Sequence, residues 1–477
     1  MTLYRKELAD LLQQRRYLLL MGAVLLVSAI TSYLSVQEYH QAQKHASAVT
    51  AAHQQILAQT TSPSSLSQLA VRRPNALEII APGVSYDLGR IATIRSDEIG
   101  DLTGSLYTQE PLFALVRTID PIYAIQIVLS LVALLLSHGL ISQEREQGTL
   151  RLLFSHPVSR LTVYLSKGLA SLTALVPMLA ITLLFPLALG LMSGLNFSSG
   201  ELVHLVGIGL CSLLYLAICV AIGMACSIWW QSARMSLLGA LSIWLLLCLA
   251  WPRLGVTIAR MVSPTSTEAQ VAAETAAFEI DRWRQFEQEL IGADRNTDPH
   301  ASEEQEWASL QLSDSLRRAT ESDISDFRNR LRENLIRQQE SQHRTAMILA
   351  RLSPSSALTL ASSRLAGTDP DLAVRYYDAL NLSHEKFRTY YDEVSKTVDD
   401  NNRFTISVET RNGVPTVNVD VPRRSDPMDL SNMPAFAPPS GNPQLAGQVA
   451  LDFVGLIAAL SLFGLLGLGR FLRADLR

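Results

Sequence analysis

The stretch Ser142-Gln-Glu-Arg-Glu-Gln-Gly-Thr-Leu-Arg-Leu-Leu-Phe-Ser-His-Pro-Val-Ser-Arg160 follows an apolar run from Pro121 to Ile141 and precedes another from Thr162 to Ser193. Glu144, Arg145 and Glu146 stand side by side in it, and a charge centred in hydrocarbon costs about 2.5–3.5 kcal/mol even on the lenient insertion scale. A membrane helix must therefore leave the lipid here. Gly148 permits a sharp bend, and Thr149 is placed to cap a new helix. Leu150, Leu152, Leu153 and Phe154 give that helix an apolar face. Pro157 ends it, and Ser159 caps the helix that follows. The reading is a short amphipathic element on the membrane surface between two spans.

Working outward, a span needs ~20 apolar residues, because each rises ~1.5 Å and the hydrocarbon core is ~30 Å thick. Six runs qualify: 17–36, 121–141, 162–193, 202–229, 235–251 and 445–469. Pro177 and Pro186 fall inside the third, where a helix packed among neighbours tolerates a kink. The composition agrees: 48% of the 477 residues are hydrophobic and 18% are charged, against ~25% charged in soluble domains. Cys211, Cys219, Cys226 and Cys248 all lie in apolar runs and read as packing residues, with no disulfide framework or zinc spacing.

Basic residues orient the spans. Residues 1–16, 142–161, 230–234 and 470–477, with Lys167, carry 12 Lys/Arg against 5 Asp/Glu, whereas the turn 194–201 has no Lys or Arg. The positive-inside rule then places both termini and the 142–161 segment in the cytoplasm of a bacterial inner-membrane protein. Two polar regions fall outside. Residues 37–120 carry 6 basic and 8 acidic residues, and 255–446 carry 21 and 29, a balance that gives no reason to expect nucleic-acid binding.

The outer regions read as follows. Residues 37–58 continue span 1 as a helix, and short β-like pieces follow at Leu77–Ile80 and Ile91–Ile94. A large domain is expected over 255–444. In it a helix over 268–291 pairs with a second, interrupted one over 302–352, whose apolar stripe is Leu316, Ile324, Phe327, Leu331, Leu335 and Ile336. This hairpin either buries its stripes against itself or offers a docking surface to a periplasmic partner. Alternation at Phe404, Ile406, Val408 and at Val417, Val419, Val421 around Arg411-Asn412-Gly413 predicts a β-hairpin. The Pro- and Ser-rich stretch 423–444 reads as a linker.

The run Glu144-Arg145-Glu146-Gln147-Gly148-Thr149-Leu150-Arg151-Leu152-Leu153-Phe154 resembles the Glu-Arg-Glu-x-Gly-Thr-Leu-x-x-Leu-Leu segment of type-2 ABC transporter permeases, departing from it only at Phe154. Pro157-Val158-Ser159-Arg160, Lys167-Gly168 and the basic entry helix Tyr4-Arg5-Lys6-Glu7-Leu8 through Arg15-Arg16 are similar as well. The phrase 352–357 with 365–368 resembles one in the subgroup named for multi-copper enzyme maturation. The fold implied is an all-α polytopic membrane protein, six helices of the type-2 exporter permease kind, with a mainly helical extracytoplasmic domain carrying a small β-hairpin.

The resemblance implies a division of labour. Glu144, Arg145, Glu146, Gly148, Thr149, Leu150 and Leu153 would form a coupling helix seated in a separate ATPase subunit. ATP and Mg would be bound by a dimer of that ATPase, since this chain has no G-x-x-x-x-G-K-[ST] loop and needs no cofactor of its own. A second permease, the same chain or a related one, would complete a transporter embedded in lipid and working as an exporter. Pro177, Pro186 and His138 are the candidate lining of the path. Three other readings compete. An ion-coupled secondary transporter would place ionisable residues mid-span, where this chain has almost none. An ABC-type mechanotransmission or signalling protein would use the outer domain as sensor. A metalloenzyme would need His40, His45 and His53 to converge, and their spacing does not put them on one helix face; they read as solvated, with no metal site and no catalytic residue expected.

Overall fold

Hydropathy and helix length together dictate the frame of the computed structural model. It describes the chain apart from residues 1, 97, 101, 106–118, 156, 295–302, 402–404, 412–413, 421–427, 429, 440, 443 and 474–477. Six helices are long and apolar enough to cross a membrane, so the protein is a multi-pass, predominantly helical membrane protein. The chain divides into two compact units, residues 1–248 with 354–477, and residues 249–353.

In the first unit, α1 (Thr2–Leu12) lies against the third span, with the Tyr4 hydroxyl donating to Thr173 Oγ1 at 3.0 Å. The helix α2 (Arg15–Ala58) holds span 1 and runs on as one piece for 44 residues, about 66 Å at 1.5 Å per residue. Only about half of that length fits in hydrocarbon, so the second half stands clear of the lipid, as the polar composition of 37–58 requires. Span 2 comprises α3 (Pro121–Ala124) and α4 (Ser130–Ser137), joined by a π-helical segment Ile125–Leu129. Two short helices follow, α5 (Ser142–Glu146) and α6 (Thr149–Phe154). Spans 3 and 4 are α7 (Arg160–Met192) and α8 (Ser199–Trp229), and span 5 begins as α9 (Ala233–Trp244) with a second π segment over Leu245–Ala250.

Span 4 is central. Its Cys211, Tyr215, Cys219 and Cys226 are buried, and all four cysteines are free, in keeping with packing roles. A π turn disturbs the regular carbonyl pattern, and in a low-dielectric interior a carbonyl it frees needs a donor. The Tyr215 hydroxyl donates to the Gln126 carbonyl of the first π segment at 2.8 Å, and the Ser355 hydroxyl donates to the Cys248 carbonyl of the second at 3.2 Å.

Ser355 belongs to α13 (Pro354–Ala366), which packs against span 4 and against span 6, α15 (Leu445–Arg473). Eleven of its thirteen residues are buried. After it, Thr368 donates its hydroxyl to the Ala81 carbonyl at 2.7 Å and accepts the Val84 amide on its own carbonyl at 3.0 Å. Gly83, at φ +52°, sits so close that a Cβ would lie 2.2 Å from the Thr368 oxygen, which is why glycine stands there.

A small domain joins residues that the sequence reading had kept in separate regions. Strand β1 (Gln68–Val71) pairs antiparallel with β2 (Ile91–Ile94), Gln68 opposite Ile94 and Val71 opposite Ile91. This pair packs on α14 (Leu372–Asn401), where Leu66, Ala70, Ala92 and Ile94 form a core with Tyr376, Leu380, Phe387 and Met428. Leu430, Met433 and Phe436, from the supposed linker, pack on the same core. Leu77–Ile80 does not form the expected β piece: Ala76–Ile79 is a 3₁₀ turn, because Asn75 and Glu78 make a capping box that the alternating apolar residues had masked. The predicted β-hairpin is present as β3 (Thr405–Arg411) paired with β4 (Val414–Asp420), while its expected Asn412-Gly413 turn lies outside the described residues.

The second unit is the helical hairpin. It contains α10 (Trp251–Val262), α11 (Glu268–Asp294) and α12 (Glu303–Arg351). The helix α12 runs for 49 residues without the expected interruption. Phe278 and Phe327 stack with ring centroids 4.0 Å apart, and Arg282 Nε donates to Asp323 Oδ2 at 2.9 Å. Trp251 Nε1 donates to the Leu349 carbonyl at 3.0 Å. The expected 255–444 domain is thus divided: α13 and everything after it cohere with the spans instead of the hairpin, because α13 is apolar enough to bury itself among them.

Candidate functional site

The candidate coupling segment, residues 142–154, is built from short-range rules first. Gly148 takes φ +71°, the left-handed conformation that turns the chain between α5 and α6. Thr149 is not a cap; it is the first residue of α6, and its hydroxyl donates back to the Glu144 carbonyl at 3.2 Å. This ties the new helix to the old one across the bend. Phe154 ends α6 three residues before Pro157, and Ser159 Oγ accepts the Thr162 amide at 3.1 Å to cap span 3.

Each charge of the Glu-Arg-Glu run has its own neighbour. Glu146 Oε1 accepts the Ala233 amide at 3.1 Å at the start of span 5, and Arg145 Nη1 donates to the Ile228 carbonyl at 3.4 Å at the end of span 4. Ser227 Oγ accepts the amides of Ile141 and Ser142 at 3.0 and 2.9 Å. Glu144 faces span 3. Its Oε1 lies 2.7 Å from Lys167 Nζ, and the same ammonium lies 2.9 Å from Glu7 Oε1 of α1. Lys167 is 1% exposed, while Glu7 and Glu144 are 15% and 28% exposed, so the ammonium is screened from water and the node holds together α1, α5 and span 3. A buried lysine needs such partners, because desolvating an unpaired charge costs several kcal/mol.

The apolar face of α6 divides in two. Leu150 is buried, and Leu153 and Phe154 pack partly onto the spans, with Phe154 and Phe471 ring centroids 6.2 Å apart. Leu152, expected on the same face, is 72% exposed and points away from the rest of the chain. Arg160 Nη1 donates to the Leu472 carbonyl at 2.8 Å, satisfying the end of span 6. The segment therefore touches the ends of spans 3, 4, 5 and 6 and leaves one leucine free.

The model of the ABC-2 family transporter protein matches residues 1–476. The chain belongs to the ABC-2 family. It is a transport permease, a membrane subunit of a family whose members work with an ABC ATPase. No curated protein matches the chain.

In this ABC-2 permease the candidate lining residues do not converge. Pro177 lies on an exposed face of span 3, Pro186 is buried in it, and the His138 ring bonds to the Leu134 carbonyl of its own helix at 3.2 Å. Ser236 Oγ donates to the His138 carbonyl at 2.7 Å, so the histidine marks where span 5 meets span 2. His53 bonds to the Ser67 carbonyl at 3.1 Å, and no His/Cys/Asp/Glu group among the described residues is arranged to hold a metal.

One buried ion pair was missed from the sequence. Asp452 of span 6 is paired with Arg364 of α13, and both are buried. The signal was present: an aspartate within an apolar span calls for a cation. Arg364 stands alone in the apolar phrase before Gly367, but nothing along the chain says that α13 packs against span 6.

Proposed function

We propose that this permease couples ATP hydrolysis by a separate ATPase subunit to export of a substrate across the bacterial inner membrane. Its termini and the 142–154 segment face the cytoplasm, and the 37–120 and 255–444 regions face the periplasm. The coupling segment seats in a groove of the ATPase, with the free Leu152 as its contact knob. The observation that carries this reading is the Lys167 node. A force applied to α5 or α6 reaches span 3 and α1 through two short ion pairs, and spans 4 and 5 through backbone bonds to Arg145 and Glu146. Two such permeases, identical or related, and two ATPases make the working unit, with ATP and Mg held by the ATPases. The basic residues flanking the spans support the orientation. The test is co-purification with an ABC ATPase, followed by measurement of substrate-stimulated ATP hydrolysis in the parent complex and in Glu144→Gln. Loss of stimulation with the complex intact supports coupling. Unchanged stimulation, or solute movement on an ion gradient without nucleotide, overturns it.

A further inference from the structure

The helical hairpin is acidic along most of its length and basic at its base. Residues 268–340 carry 17 acidic and 9 basic residues, whereas 249–267 and 341–353 hold Arg253, Arg260, His343, Arg344 and Arg351 and no Asp or Glu. These two stretches are neighbours in space. Trp251 Nε1 donates to the Leu349 carbonyl, and Gln342 Nε2 donates to the Ser263 carbonyl at 2.8 Å, so α10 runs antiparallel to the last turns of α12. Arg351 therefore stands near the level of Arg253, and Arg344 near that of Arg260. Further along the hairpin, arginines pair with acids: Arg282 with Asp323, and Arg317 with Asp314 and Glu321. Arg253, Arg260 and Arg344 are exposed and make no ion pair among the described residues. The same base carries an uncovered aliphatic stripe. Leu254, Ile258 and Met261 recur on α10 at i, i+4 and i+7 and are exposed, Met261 by 76%; so are Ile348 and Leu352 at the end of α12. The buried positions of α10 are Gly255 and Ala259, one narrow face. Single exposed apolar residues mean little, but a contiguous stripe marks a surface that something covers.

We propose that the base of the hairpin binds a surface of anionic phospholipid in the leaflet where span 5 ends. The aliphatic stripe lies at the acyl boundary, and Arg253, Arg260 and Arg344 meet headgroup phosphates. The position along the chain fits. The candidate span Ala233–Val262 has 30 residues, about 45 Å at 1.5 Å each, which matches a bilayer with both headgroup layers included. Its last turns, those of α10, then stand in the headgroup layer, with Trp251 where indole rings collect at the edge of the hydrocarbon. Charge complementarity selects the lipid. Phosphatidylethanolamine offers a phosphate but cancels it with its own ammonium, whereas phosphatidylglycerol leaves the arginines a net anion. A second copy of this chain, docked by the same face, would bring like charges together. The proposal rests on the chain's being a membrane protein and not on what drives the permease.

The test places a fluorophore on the stripe. Met261→Cys in the full chain is labelled with bimane and reconstituted in nanodiscs holding brominated phosphatidylglycerol or, at the same mole fraction, brominated phosphatidylethanolamine. The native cysteines are buried, so the unsubstituted chain sets the labelling background. Bromine is expected to quench the label at Met261→Cys and not at Leu312→Cys, an exposed site further along α12. Brominated phosphatidylglycerol should be enriched at Met261→Cys by about fivefold or more, the worth of one arginine at an anionic surface. Replacing Arg253, Arg260 and Arg344 together by Gln should abolish that preference and leave the quenching, while Lys at the three positions should keep it. Salt at ~1 M, where the screening length is ~3 Å, should erode the preference without any substitution, so the test stands even if the Gln variant does not fold. Equal quenching by the two lipids, a preference that survives the Gln variant or salt, or no quenching at Met261→Cys overturns the proposal. So does a label shielded from both lipids and cross-linked to a second copy or another protein.

Discussion

Two buried charge trios occupy opposite ends of span 1, and they are mirror images. Near its start Lys167 sits between Glu7 and Glu144; beyond its other end Glu78 sits between Arg72 at 3.0 Å and Arg90 at 2.8 Å. The first trio joins three segments 160 residues apart at their widest, α1, α5 and span 3, through side chains alone. The second is confined to residues 72–90 and is reinforced by backbone: Arg72 donates its amide to the Arg90 carbonyl at 2.8 Å, and Glu78 Oε1 accepts the Asn75 amide at 3.3 Å. A local trio with a backbone frame is a clamp that holds one domain in one shape. A trio made of distant elements, with Glu144 partly open to solvent and its second oxygen unpartnered among the described residues, is a joint.

The largest loss of stability is expected at the clamp. Glu78→Ala strands Arg72 and Arg90 without their anion, and removing one partner of a buried pair costs about 3–5 kcal/mol. The expected outcome is early unfolding of the small domain, seen as proteolysis of the 60–105 region at temperatures where the spans survive. Acid should do the same more gently. Burial pushes the Glu78 carboxyl up, but Arg90, Arg72 and the hydrogen bonds from Arg90 and the Asn75 amide outweigh it and leave it below its ordinary value. A depressed carboxylate stabilises the fold at all pH values above its unfolded pKa of ~4.3. That stability is lost as the pH falls through the lower folded value, so protease resistance should hold down to that range and then decline. The same decline in a Glu78→Gln variant would show that another group is titrating.

At the joint the effects are smaller in stability and larger in function. Lys167→Met leaves Glu7 and Glu144 facing each other without a cation. We expect about 2–4 kcal/mol of destabilisation, somewhat less than for the clamp because water reaches Glu144, and loss of ATPase stimulation. Gly148→Ala forces a side chain into the left-handed region at about 1–2 kcal/mol and should lower stimulation without displacing the protein from the membrane. Leu152→Ser should change the melting temperature least, within about 0.5 kcal/mol for an exposed site, yet weaken retention of the ATPase on an affinity column. A clear loss of stability in Leu152→Ser would show that it packs within the permease and is not the knob.

Much of the frame was legible along the chain. The spans, the free and buried cysteines, the Gly148 bend, the Ser159 cap and the 405–420 hairpin each depend on residues within a few positions of one another, and hydropathy, φ preference and capping are sums over such neighbours. Local reading failed where two local signals competed. Leu77–Ile80 has the apolar residues of a strand, but the Asn75–Glu78 capping box won. Thr149 has the chemistry of a cap, but the bend at Gly148 turned its hydroxyl back to the Glu144 carbonyl.

Membrane insertion, the number of candidate spans and the position of the charged 142–154 segment between two of them follow from the sequence itself, because lipid sorts apolar from charged residues one segment at a time. Which buried charges neutralise each other was decided only in three dimensions. Lys167 meets Glu7 across 160 positions, and Arg364 meets Asp452 across 88. A lone charge in an apolar setting announces that a partner exists. Its identity depends on which helices pack side by side, and that is fixed by shape and burial over the whole fold.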